Sequence, residues 1–139
     1  TDPANPEIAS IDVWQLAIRL VAMPADTNAY GDIFGGWLLS QADIAGSTLA
    51  IRAAGGRVAT AAVKDFRFLA PVLVGDLVEV YAKVARTGAT SVSVGVQAWA
   101  QAEASPAGRR QVAEALITYV AVDANRRPRR LGVPRPIPV

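Results

Sequence analysis

Asp43 stands in a stretch that otherwise has little use for a charge. From Phe34 to Ala54 no proline occurs, and Trp37, Leu38, Gln41, Ala45, Thr48, Leu49 and Arg52 fall at helical spacing, which predicts a helix of about five turns. A carboxylate buried in such a helix is costly unless it is paired or used. Its helical neighbours Leu39, Ser40, Gly46 and Ser47 are mostly small, so another group can approach that face closely. Used, Asp43 is a general base or a nucleophile. Paired, it is hydrogen-bonded to Ser40 or Ser47, or ion-paired with Arg52 or Lys64.

The same helix opens on Phe34-Gly35-Gly36, with Asp32 as its expected cap and Gly55-Gly56 as its end. The first N–H groups of a helix have no intrahelical acceptor, and glycine puts no side chain in front of them. They can hold a developing oxyanion at the positive end of the helix, or the glycines serve only a tight entry. Gly35 and Asp43 are eight positions apart, about 12 Å along the axis at 1.5 Å per residue. One helix cannot bring both to one reacting carbon. Two helices running antiparallel about a two-fold axis can, each Asp43 lying near the other's Gly35. Asn28, in the Asp26-Thr27-Asn28 loop, orients a water or a carbonyl without titrating, or stabilises its own turn.

Elements on either side must hold this helix in place. Gln15 to Ala22 alternates with period two, a strand over about Trp14 to Met23 closed by Pro24 and a turn-rich loop. After the helix come strands over Val58 to Phe68, Leu77 to Arg86, a segment from Ser91 to Ala100, and Gln111 to Val122. Turns are expected at Thr87-Gly88-Ala89 and at Ser105-Pro106-Ala107-Gly108. One long helix, apolar on most of its circumference, and about five antiparallel strands make an α+β domain whose sheet covers the helix. That is the hotdog arrangement.

Composition removes whole classes of chemistry. The chain's 139 residues carry a net charge of +2 with 52% apolar residues, enough for one packed domain. It has no histidine and no cysteine, so it holds no Ser-His-Asp triad, no cysteine nucleophile, no disulfide, and no zinc site built on those ligands. No metal or other cofactor is expected. Thr1 to Ser10 lacks a signal-peptide pattern and no apolar run reaches a membrane span, so a cytoplasmic enzyme without membrane contact is expected. The domain is assigned to residues 1–124. An Arg/Pro-rich tail, 125–139, carries Arg126, Arg127, Arg129, Arg130 and Arg135, either as a solvated face or as a phosphate patch. Without aromatic residues among these arginines, no nucleic-acid partner is expected.

The run Asp26 to Asp43, with its Asn28, Phe34-Gly35-Gly36 and Asp43, resembles the signature of hotdog acyl-CoA thioesterases, in particular the bacterial YciA-like group. The likeness continues through Gly56 to Thr60, Phe68 to Val72, Val74-Gly75-Asp76 and Gly88 to Val92, and so covers nearly all of Pro24 to Val122. It implies hydrolysis of acyl-CoA to CoA and a carboxylic acid, at a site between the subunits of a homodimer, with a trimer of dimers as the larger assembly. It implies a site role for Asn28 and tips Asp43, Gly35 and Gly36 toward catalysis. For the CoA end, Arg86-Thr87-Gly88-Ala89-Thr90-Ser91 offers a charge, hydroxyls and free backbone, unless it is a simple hairpin; Arg57 and Lys64 add cations. The family usually carries a basic residue where Arg86 stands. Two rivals remain within the fold. Acyl-CoA hydratases of this fold use a histidine, which this chain lacks; a non-catalytic acyl-CoA-binding module would have no use for Asp43 beside an open helix start. Acyl-chain length depends on an apolar tunnel lined by residues such as Tyr30, Trp37, Val63 and Phe66.

Overall fold

A computed structural model describes residues 13–102 and 105–133. In chain order the elements are β1 (Gln15–Val21), α1 (Gly35–Ala54), β2 (Val58–Phe68), β3 (Asp76–Thr87), β4 (Ser91–Ala102) and β5 (Ser105–Ala121). The strands form one antiparallel sheet in the order β1-β3-β4-β5-β2. The fold is the expected hotdog, with α1 packed across one face of the sheet.

Alternation decides which side chains meet the helix. Val78, Val80 and Ala82 of β3, Val92, Val94, Val96 and Ala98 of β4, and Ile117 and Tyr119 of β5 are buried on the inner face. Against them α1 sets Leu38, Ala42, Ala45, Gly46, Leu49, Ala50 and Ala54. Four of these are alanines and one is glycine, so the helix axis can approach the sheet closely. Among the described residues the helix keeps an open side, with Ile44 and Ile51 50% and 40% exposed. Among the described strands β2 forms one border of the sheet, and Val63 and Phe68 on this strand are exposed as well.

Several boundaries differ from the sequence expectation, each for a local reason. Asp32 does not cap α1; the cap position is Phe34, which has no side-chain cap bond. Asp32 stays in the loop, its amide donating to the Asn28 side chain, and Phe34 is held at the cap position by its amide donating to the Asp26 carbonyl at 3.0 Å. The turn expected at Ser105 to Gly108 belongs to β5, since Ala102 pairs directly with Ser105 and the connection is two residues long. Proline and glycine there signal a turn in the sequence, but strand pairing with β4 takes precedence. Residues 125–133 fold back on the domain: Val122 bridges Pro128, and the Gly132 amide donates to the Ala54 carbonyl at 2.8 Å. Arg135 lies outside the described residues.

Candidate active site

The loop before α1 is tied to itself. Asp26 accepts a hydrogen bond from the Met23 amide, Thr27 bridges Ile33, and the Asn28 Oδ1 accepts from the amides of Tyr30 (2.9 Å) and Asp32 (3.1 Å). Asn28 therefore does stabilise its own turn. Its carbonyl oxygen is occupied, and its NH2 has no acceptor among the described residues. This brace delivers Gly35 and Gly36 as the first turn of the helix. The Trp37 and Leu38 amides donate to the Phe34 carbonyl, which leaves Gly35 and Gly36 as first-turn donors without an acceptor among the described residues.

The two glycines are not equivalent. A Cβ on Gly36 would meet nothing within 4 Å, whereas one on Gly35 would lie 3.1 Å from the Phe68 ring. Phe68 thus covers one side of the helix start. Beneath it opens an apolar cleft of about 390 Å³ lined by Ile33, Phe34, Leu38, Phe68, Leu69 and Val72 among others. None of Tyr30, Trp37, Val63 and Phe66 lines it. The cleft's far wall is fixed by an ion pair: Asp76, 4% exposed, accepts from the Leu73 amide and from Arg110, which also donates to the Pro71 carbonyl. That is the structural use of the Val74-Gly75-Asp76 motif.

Asp43 lies two turns further along α1, half-buried. Its Oδ1 accepts a hydrogen bond from the Thr60 hydroxyl at 2.8 Å. Its backbone carbonyl accepts another from the Tyr119 hydroxyl at 2.7 Å. Thr60 and Tyr119 are cross-strand partners in β2 and β5, so one pair of strands grips residue 43 at both its carboxylate and its carbonyl. Ser47 turns back to the Ile44 carbonyl. Burial, and after it the neighbouring Asp43 carboxylate, hold the Tyr119 phenol above the usual tyrosine range. Sequence reading missed Tyr119. Gly46 was the available signal, because glycine inside a helix costs about 1 kcal/mol against alanine and marks a close approach.

The cationic candidates separate into two places. Arg86 and Thr87 end β3, Ser91 begins β4, and Arg57 precedes β2, all at the end of the sheet where α1 also terminates. The Gly88 amide donates to the Ser91 carbonyl at 2.8 Å, and the carbonyls of Ala89 and Thr90 accept from Leu131 and Ala121. Arg86 and Arg57 are exposed. Lys64 is not among them: it pairs with Leu116 in mid-strand, on the sheet face turned away from α1. Arg129 is not a free phosphate ligand either, since its guanidinium donates to the carbonyls of Val122, Ala54, Arg57 and Arg130. Among the described residues no group of His, Cys, Asp or Glu is placed to hold a metal ion.

A long helix laid across one face of a five-stranded antiparallel sheet is the hotdog architecture, and the open amides at its start with the carboxylate two turns on form its candidate site. Residues 30–107 match the thioesterase superfamily model. The chain is 52% identical to the acyl-CoA thioester hydrolase YciA of Salmonella typhimurium over 127 residues, covering 90% of this chain and 91% of that protein. Identity to the YciA enzyme of Escherichia coli K12 is 54% over 120 residues, 85% and 91% of the two chains. The fold superposes on the hexameric thioesterase of Yersinia pestis with a TM-score of 0.80 at 47% identity, over 85% and 95% of the chains. This chain belongs to the thioesterase superfamily, within its YciA-like acyl-CoA thioester hydrolase group.

Proposed function

We propose that this chain hydrolyses acyl-CoA thioesters to CoA and a carboxylic acid, with Asp43 as general base at a site completed by a second copy. The observation that carries the reading is the Thr60 hydrogen bond to the Asp43 carboxylate, which orients one oxygen and leaves the other for a water. A silent binding module has no need of that arrangement. Water attacks the thioester carbonyl carbon while its proton passes to Asp43. The oxyanion rests on the Gly35 and Gly36 amides of the partner helix. When the C–S bond breaks, Asp43 returns the proton to the leaving sulfur. Asn28, its oxygen engaged in the turn, offers its NH2 to the carbonyl or the water. The acyl chain lies in the cleft under Phe68.

The dimer follows from the roughly 12 Å between Gly35 and Asp43 and is supported by the open β2 edge and the exposed Ile44 and Ile51. Three such dimers would form a hexamer. Arg86 and Arg57, with Thr87, Gly88, Thr90 and Ser91, receive the CoA phosphates; Lys64 has the weakest claim, because it stands on the other face of the sheet. No cofactor takes part. A cytoplasmic location belongs to the same proposal, as does the division between the domain of residues 1–124 and the segment after it. The test is Asp43→Asn, which keeps an acceptor for Thr60: kcat falls by at least about 100-fold with assembly and CoA affinity retained. Near-normal turnover in the folded variant would refute the assignment.

A further inference from the structure

Tyr119 combines two features that an ordinary core position avoids. Its side chain is fully buried, with no exposed surface, yet it carries a hydroxyl that must be satisfied. The space for that hydroxyl exists only because residue 46 is glycine: a Cβ there would lie 2.4 Å from the Tyr119 oxygen and 3.2 Å from two ring carbons. Phenylalanine at 119 and alanine at 46 would give a simpler core. In a helix the Asp43 carbonyl already has an amide donor four residues on, so the Tyr119 hydroxyl occupies its second lone pair and α1 does not depend on it. The hydroxyl's effect falls on residue 43 itself. Thr60, directly across the strand pair, holds the carboxylate of the same residue.

We propose that Tyr119, seated over Gly46, is a positioning residue for hydrolysis, fixing the helix turn that carries Asp43 so that its carboxylate meets the attacking water in register. The inference rests on Asp43 being the base. A displacement of about 1 Å in such a group is enough to cost on the order of 100-fold in rate, and loss of the hydroxyl alone releases only part of that. The phenol stays protonated, and so a donor, because burial and the nearby carboxylate disfavour its ionised form.

The experiment measures kcat and KM of the purified oligomer on one acyl-CoA for Tyr119→Phe, Gly46→Ala, the pair together, and Tyr119→Phe combined with Asp43→Asn. Tyr119→Phe lowers kcat about 10-fold with KM changed less than twofold. Gly46→Ala lowers kcat as well, and the pair together is no worse than the poorer single variant, because removing the oxygen removes the 2.4 Å contact. On the Asp43→Asn background Tyr119→Phe changes the residual rate less than twofold. An unchanged kcat in folded Tyr119→Phe overturns the inference, as does an equal loss with and without the Asp43 carboxylate, which would mark a purely structural tyrosine. Should Tyr119→Phe not assemble, Gly46→Ala reads the same seat, and full kcat in that variant overturns it. Full activity of Asp43→Asn refutes the base assignment instead, a result separate from these.

Discussion

Replacing Arg129 by alanine tests whether the segment after β5 is part of the working domain. One guanidinium spans three segments, donating to Ala54 at the end of α1 (3.2 Å), Arg57 before β2 (3.2 Å) and Val122 after β5 (3.0 Å). A hydrogen bond to a charged group contributes about 1.5–3 kcal/mol, and freezing an arginine costs up to about 2 kcal/mol. A cation at a helix C-terminus adds about 0.3–1 kcal/mol. With these carbonyls only partly shielded from water, the lower end applies and Arg129→Ala costs about 3 kcal/mol. For 139 residues the unfolding entropy is roughly 0.3 kcal/mol/K, so Tm falls by about 10 °C. Thermal unfolding at fixed protomer concentration measures it. Because Leu131 also holds the β3–β4 turn through the Ala89 carbonyl, KM for acyl-CoA should rise several-fold well below Tm while that for an N-acetylcysteamine thioester stays put. A Tm within about 2 °C of the parent would refute the reasoning, and Arg129→Lys, which keeps the charge without the fork, should fall between the two.

Other consequences are as direct. Arg86→Ala should raise KM for acyl-CoA by the equivalent of about 1–3 kcal/mol and leave the truncated thioester unaffected; equal impairment of both substrates would make Arg86 structural. Dilution followed by sedimentation and activity should show no turnover in a species of monomer mass, and full specific activity there would contradict the shared site. Above about pH 10, where an unfolded tyrosine ionises but Tyr119 keeps its proton, the native state binds more protons than the unfolded one. Stability should therefore decline with rising pH, by up to about 1.4 kcal/mol per unit, and Tyr119→Phe should flatten that slope in alkaline denaturation.

Much of this architecture could be read from periodicity. The limits of β2 coincide with the β-like run that stops short of Pro71, and those of β3 lie one residue to either side of its alternating run. The start of β5 was not legible because Pro106 and Gly108 carry strong turn propensity, whereas pairing with β4 already begins at Ser105. Asp32 failed as a cap for a similar reason. The helix enters two residues later, at Phe34, whose amide is tied to the Asp26 carbonyl, a loop geometry that sequence spacing does not rank.

The site was legible in its residues but not in their partners. Asp43 and the two glycines belong to one helix, so a 1.5 Å rise was enough to lead to the proposal that they serve different copies. Thr60 and Tyr119 reach Asp43 from strands whose pairing joins residues 59 apart in sequence, and only the sheet order makes them neighbours. The same order explains the division of cations. Arg57 and Arg86 stand far apart in the chain, yet both strands meet the end of the sheet at which α1 stops, while Lys64, near Arg57 in sequence, turns to the opposite face. The proposed base and the end of α1 beside Arg57 and Arg86 are separated by the eleven residues from Asp43 to Ala54, about 16 Å of helix. A substrate long enough to touch both must carry its anionic group well away from its reacting carbon, as a thioester on an extended phosphate-bearing carrier does.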